Sequence, residues 1–391
     1  MKFQGLTIGA PKEIMAGEKR VAITPETAEK FVEEGAKVII EKGAGTGSFI
    51  ADESYIKAGA EMVDGPAEVF AEADIILKVK EPKYNEELEK HEADLMEEGK
   101  TLVSFLHPAT PANHSMVKTL AGSGALSFTM DAVPRISRAQ KMDALTSMST
   151  AAGYKSAIFA ANHLKRFVPM IPTALGTIKP ANFLVIGAGV AGLQAIGTAK
   201  RLGAKVTSLD IRPEANEQAK SLGAKTLEFD VPEELALAEG GYAKRLPEEW
   251  YEKEREVIAE NIEEYDAIIL SALIQGEKAP ILITEEMVEK MKKGSVIVDI
   301  SIDQGGNCEL SKGGEEYTHD GVVISGILNI PTTVCIDATA MYAQNIYSFV
   351  AHLVEDGRVQ GGSDDQIIKE TRVTKDGEVV HRGTLKAMEE E

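Results

Sequence analysis

The sequence predicts a two-domain α/β protein with parallel sheets, and three observations carry that prediction. The first is length: 391 residues exceed one typical domain. The second is the alternation of short apolar runs with helix-like stretches, which implies parallel strands covered by helices on both faces. The third is residues 184–192, Leu-Val-Ile-Gly-Ala-Gly-Val-Ala-Gly, an apolar strand running into Gly-x-Gly-x-x-Gly. There the first glycine permits the tight turn, the second lets backbone approach a pyrophosphate, and the third lets the helix sit close to the strand. The expected architecture is two Rossmann-like domains joined by long helices with a cleft between them. One comprises 1–134 with 340–391; the other, 135–339, binds NAD.

In the first domain the strands are read at Leu6–Gly9, Val38–Ile40, Ile75–Val79, Leu102–Leu106 and Ala125–Thr129. Thr24-Pro25-Glu26 supplies a helix start: a capping hydroxyl, a proline in the first turn and an acid. The loop Gly43-Ala44-Gly45-Thr46-Gly47 has another glycine spacing and is read as a turn. A long helix is expected at about 150–167, punctuated by Pro169, Pro172 and Pro180 before the glycine-rich unit. After that unit come a helix over Ala191–Leu202, a strand over Lys205–Asp210, and strands at Ala267–Leu270, Ser295–Val298 and Val322–Ile324. A second long helix is read over Ala338–Leu353. The polar tail from Gly357 is read as a short hairpin or partly disordered chain.

Net charge is −20, which argues against nucleic acid and anionic membrane surfaces as partners. No apolar run reaches the roughly 18 residues that span a bilayer, so no direct membrane insertion is expected. The opening Met1–Gly5 leads straight into a strand-like segment, so no signal peptide is expected. Cys308 and Cys335 have no metal-ligand spacing and read as small buried hydrophobes in a reducing, cytoplasmic compartment. No metal site is expected.

Hydride chemistry requires a nicotinamide fixed against an acceptor. Asp210 ends a strand about 20 residues past the first glycine, where a carboxylate takes the ribose hydroxyls of NAD. It would repel a 2′-phosphate, although an arginine such as Arg212 accommodates that phosphate in other sites of this kind. Arg20 offers a two-point clamp for a carboxylate, or a surface ion pair. Lys78 and Lys80 share one face of a strand end. His107 follows an apolar strand, where acid–base work and a structural role are both open. Asp303 precedes Gly305-Gly306, which would let a ligand approach the backbone. Pro134–Asp143 combines Arg135, Gln140 and Asp143, either to bind a nicotinamide carboxamide or ribose, or as a capped interdomain linker.

These residues resemble, over nearly the full chain, the superfamily shared by alanine dehydrogenase and the NAD(H)-binding component of proton-translocating transhydrogenase. Pro11-Lys12-Glu13 with Glu18–Pro25 and the glycine-rich turn are similar to both branches. Arg-Ile-Ser-Arg-Ala-Gln-Lys-Met-Asp at 135–143, Gly240–Lys244, Asp210-Ile211-Arg212-Pro213 and Val373–Glu378 resemble the transhydrogenase branch. The resemblance implies that NAD is held by Gly187, Ala188, Gly189, Val190, Gly192, Asp210 and Arg212. Arg135, Gln140 and Asp143 would hold the nicotinamide end, and Tyr242 would sit in a loop closing over the nucleotide. It also implies a homodimer working with NADP(H)-binding and membrane subunits. In the alanine dehydrogenase alternative, Arg20 would bind a pyruvate carboxylate and Lys80 would polarise its carbonyl. His107 would then act as acid–base, and Asp303 would position water or ammonia.

Overall fold

A computed structural model describes residues 1–237, 243–274 and 278–389. The chain divides into two compact units, Met1–Met148 with Val334–Glu391, and Ser149–Thr333. Segment 135–148 thus lies in the first unit, not with the nucleotide-type domain as expected. Its short helix Ser137–Met142 is tied there: Asn345 Nδ2 donates to the Lys141 carbonyl at 2.9 Å, and Arg138 pairs with Asp365.

In the first unit six parallel strands lie side by side in the order Leu126–Thr129, Thr101–Ser104, Ile75–Leu77, Thr7–Ala10, Lys37–Glu41, Glu61–Val63. Counted in chain order this is the 3-2-1-4-5-6 arrangement of dinucleotide-binding sheets. The described part of the tail, to residue 389, forms regular elements, in keeping with the hairpin reading. Arg372–Lys375 and Glu378–Val379 form a hairpin that extends the sheet antiparallel to Leu126–Thr129. Thr374 Oγ1 fixes it by donating to the Ala125 carbonyl at 2.8 Å. Helix Pro25–Glu33 starts where its sequence signals place it, with Thr24 accepting from the Thr27 amide and Thr27 Oγ1 accepting from the Thr24 amide.

The second unit repeats the order with Lys225–Thr226, Lys205–Leu209, Asn182–Ile186, Ala267–Leu270, Val296–Asp299 and Val322–Ser325, and adds Glu316–His319 as an antiparallel edge. Along Asn182–Ile186, Phe183 and Val185 enter one core while Leu184 and Ile186 enter the other. That two-sided burial is why the strand reads as a continuous apolar run. The helix read over 150–167 instead spans Ala144–His163, because Asp143 caps it: its Oδ1 accepts the Thr146 amide at 2.8 Å. In each sheet the order reverses between the first and fourth strands. Ligands of such sheets bind beyond the carboxyl ends at that reversal.

Candidate functional site

At the reversal in the second unit lies the glycine-rich turn. Gly187 has φ +87°, and a Cβ there would fall 2.7 Å from the Ala272 amide nitrogen, so only glycine fits. A Cβ on Gly192 would fall 1.8 Å from the Gly187 carbonyl oxygen, which explains the close seat of helix Val190–Arg201. Gly189, the N-cap, differs: a Cβ there meets nothing nearer than Arg212 Nη2 at 3.8 Å. Packing does not require glycine at 189; the bare backbone leaves the helix N-terminus open, and the aligned peptide dipoles there favour an anion. The cradle therefore fits a dinucleotide pyrophosphate.

Asp210 is buried at the end of its strand, and its carboxylate is fully engaged. Oδ2 accepts from the Ala188 amide at 2.7 Å and Arg212 Nη2 at 2.9 Å; Oδ1 accepts from the Arg212 amide and Nε, both at 2.9 Å. These four bonds occupy the lone-pair sites of a carboxylate. A ribose hydroxyl reaches Asp210 only as Arg212 lets go. Glu254, buried on helix Glu248–Asn261, is pushed up to about 8 by burial and by the Asp210 charge. Asp210→Asn is expected to weaken NADH binding by about one to two orders of magnitude, through loss of a charge-assisted bond worth roughly 1.5–3 kcal/mol. It also releases Arg212 for a 2′-phosphate, so the NADH-over-NADPH preference narrows. Parallel fluorescence titrations with the two nucleotides read both effects.

Asp303 is exposed in the turn Ile300–Gln304 after the fifth strand. Two residues that sequence reasoning missed shape this loop. Asp299, wholly buried, accepts from the amides of Ser301, Asn307 and Cys308 at 3.1, 2.8 and 3.1 Å. Asn307 spans the loops by accepting from the Ala272 amide at 3.0 Å and donating to the Ala272 and Pro280 carbonyls at 2.9 and 2.8 Å.

Arg20, Lys80 and His107 all lie in the first unit, on loops beyond the carboxyl ends of its sheet. Arg20 is only 2 % exposed. Its Nε and Nη2 bind Glu18 at 2.8 and 2.6 Å, and Nη1 points at Met148 Sδ at 2.8 Å. His107 has φ +44° and pairs through Nδ1 with Asp131 Oδ1 at 2.8 Å, which leaves Nε2 for a second partner. Burial opposes the imidazolium, but the Asp131 carboxylate prevails and raises the His107 pKa; Asp131 is lowered in turn. Lys80 is half-buried and makes no side-chain ion pair among the described residues. Tyr342 underlies the group: its hydroxyl donates to the Lys78 carbonyl at 2.7 Å, and its ring meets Phe105, which stacks on His107. Nothing local in the sequence flags Asp131 or Tyr342 as partners.

Arg135 and Gln140 are exposed, and Asp143 is half-buried, holding Thr146 through both oxygens. All three lie in the first unit, whereas the glycine-rich turn lies in the second. Tyr242 and most of the loop Gly240–Lys244 lie outside the described residues; Leu237 and Ala243 on either side pair as an antiparallel bridge. Glu285, Glu289 and His319 bring possible metal-ligand atoms within 4.8 Å of one another, a grouping that no sequence spacing announces. Two of the three are exposed acids, and His319 already faces Glu285 at 3.6 Å.

Residues 9–152 match the family model of the alanine dehydrogenase/PNT N-terminal domain, and residues 156–382 that of the alanine dehydrogenase/PNT C-terminal domain. The chain is 43 % identical over 379 residues to the NAD(P) transhydrogenase subunit alpha of Cereibacter sphaeroides, covering 96 % of this chain and 71 % of that one. Among solved structures, the transhydrogenase from Sinorhizobium meliloti superposes with a TM-score of 0.81 at 37 % identity, over 96 % of this chain and 99 % of that one. An L-alanine dehydrogenase gives 0.82 at 28 % identity, over 98 % and 99 %.

Proposed function

The chain belongs to the alanine dehydrogenase/PNT family, and from that premise we propose that it is the NAD(H)-binding subunit of a transhydrogenase, passing hydride from NADH to NADP+ held on a partner subunit. The observation that carries nucleotide binding is the open face of Gly189 at a helix N-terminus beside Asp210. Gly187, Gly189, Val190 and Gly192 would hold the pyrophosphate, with the Ala188 amide anchoring Asp210 and Arg212 yielding its carboxylate to the ribose. The bound nucleotide supplies the hydride; the chain supplies position and an anion-stabilising turn.

The state of Arg20 supports the transhydrogenase branch over the dehydrogenase. Its guanidinium is spent on Glu18 and Met148, so a carboxylate clamp in the first unit is already filled. No helix among the described residues is long and apolar enough to cross a membrane. In this reading membrane contact and proton translocation come from partner subunits. A homodimer is included in the proposal. The hairpin Ile171–Thr173/Gly176–Ile178 supports it with Leu175, 100 % exposed, at its tip, and with Met170 and Phe167, ahead of its first strand, also exposed. Sedimentation velocity of the purified chain checks it.

One observation favours the second reading, alanine dehydrogenase. The His107–Asp131 pair with the Lys80 ammonium nearby is a workable acid–base set. The deciding experiment supplies the purified chain with NADH, first with an NADP(H)-binding transhydrogenase subunit and an NADP analogue, then alone with pyruvate and ammonia. Reduction of the analogue with no pyruvate turnover is the expected result. Robust pyruvate turnover by the chain alone would replace the first reading with the second.

A further inference from the structure

Three charged side chains are buried beneath the Lys80 loop and take no part in the chemistry described so far. Lys78, 0 % exposed, lies between Glu13 and Glu92, with Nζ–O distances of 3.4 and 3.2 Å. Each carboxylate uses its other oxygen on backbone. Glu13 Oε1 accepts from the Val79 amide at 2.5 Å and the Lys80 amide at 3.4 Å, and Glu92 Oε2 accepts from the Lys83 amide at 3.1 Å. The loop that carries Lys80 and Glu81 is therefore gripped at both ends by acids organised on one ammonium. Buried ion clusters add little net stability over apolar packing. Placing this one at the reversal of the sheet suits positioning.

We propose that Glu13 is a positioning residue for the first unit's site, its carboxylate setting the loop that presents the Lys80 ammonium and its proton uptake releasing that loop. The ligand-facing role of Lys80 rests on the second reading above; the clamp itself does not. Two carboxylates share one cation, and burial pushes Glu13 up to about 7, against the pull of Lys78 and with Glu92 and Glu18 adding to the push. Tyr342 also faces Glu13 and stays protonated, its own pKa raised by burial.

Competitive acetylation of the intact chain, read by mass spectrometry against exposed Lys118, tests this without nucleotide. The expected result is a several-fold step in Lys80 reactivity centred near pH 7. The step should be lost in Glu13→Gln, which keeps the acceptor oxygen but cannot titrate. It should survive in His107→Asn, which removes the nearby imidazole, whose pKa, despite burial, is raised by Asp131. A flat wild-type profile, a step retained in Glu13→Gln, or a step lost in His107→Asn overturns the proposal. If Glu13→Gln does not fold, a flat wild-type profile or a step lost in His107→Asn still overturns the proposal. Protection of Lys80 by pyruvate, read in the same digests, reports on the ligand reading separately.

Discussion

Gly189→Ala is expected to leave the second unit folded and to abolish tight NADH binding, whereas Gly192→Ala loses both fold and binding. The contrast follows from what a methyl group meets. At 192 it would lie 1.8 Å from the Gly187 carbonyl oxygen, inside any tolerable contact, so helix Val190–Arg201 must move off its strand. Such overpacking against backbone costs about 3 kcal/mol or more. At 189 the nearest atom is the end of a flexible arginine at 3.8 Å, an ordinary contact. The added methyl therefore intrudes only on a ligand, displacing an anion from amides whose charge-assisted bonds are each worth roughly 1.5–3 kcal/mol, so affinity falls by about two orders of magnitude. Fluorescence titration with NADH and thermal unfolding by circular dichroism separate the outcomes. An unaltered NADH affinity in Gly189→Ala would reduce the motif to a packing turn.

That test goes to the region of the molecule most legible in the sequence. Strands buried on both faces, such as Ala267–Leu270, announce themselves as unbroken apolar runs, and the turn after Asn182–Ile186 is legible because Gly187 and Gly192 answer local steric needs while Gly189 leaves the helix N-terminus open. Edge strands were missed for the opposite reason. Glu61–Val63, Lys225–Thr226 and Glu316–His319 are short and carry exposed charged residues, so no apolar period marks them. Helix ends shifted where a side chain, not propensity, sets them, as Asp143 does for Ala144–His163. At the sites, residue types were legible but their partners were not. Arg20 reads as a clamp or a surface ion pair, and the structure makes it a buried pair with Glu18; Asp210 reads as a free acceptor until Arg212 covers it. Asp131, Asn307 and Glu92 act through contacts that only the tertiary fold creates, and no spacing encodes them.

Asp131 is where such a contact has the largest expected consequence for the first unit. Its carboxylate accepts from the His107 amide at 2.7 Å and from Thr129 Oγ1, and pairs with the His107 ring at 2.8 Å. It thereby secures a residue held at φ +44°, a conformation that non-glycine residues adopt at some cost. Asp131→Ala strands a buried amide and hydroxyl, so a loss of about 2–4 kcal/mol is expected, most of it from those two groups. The ring pair adds less, since His107 is 39 % exposed and solvent screens it. The pH dependence separates the contributions. The folded Asp131 pKa lies below its ordinary 3.8, so its contribution is present above that value and is lost as pH falls through the lowered pKa. The folded His107 pKa lies above its ordinary 6.5, so the pair's contribution is complete below 6.5 and is lost as pH rises through the raised pKa. Between those limits wild type should show its full advantage over Asp131→Asn, a variant that keeps one acceptor oxygen for the His107 amide and removes the charge. Denaturant unfolding from acid to mildly alkaline pH measures this directly. A stability difference that does not shrink above the His107 transition would mean the ring pair carries no charge in the folded protein, and with it the case for His107 as a poised acid would fall.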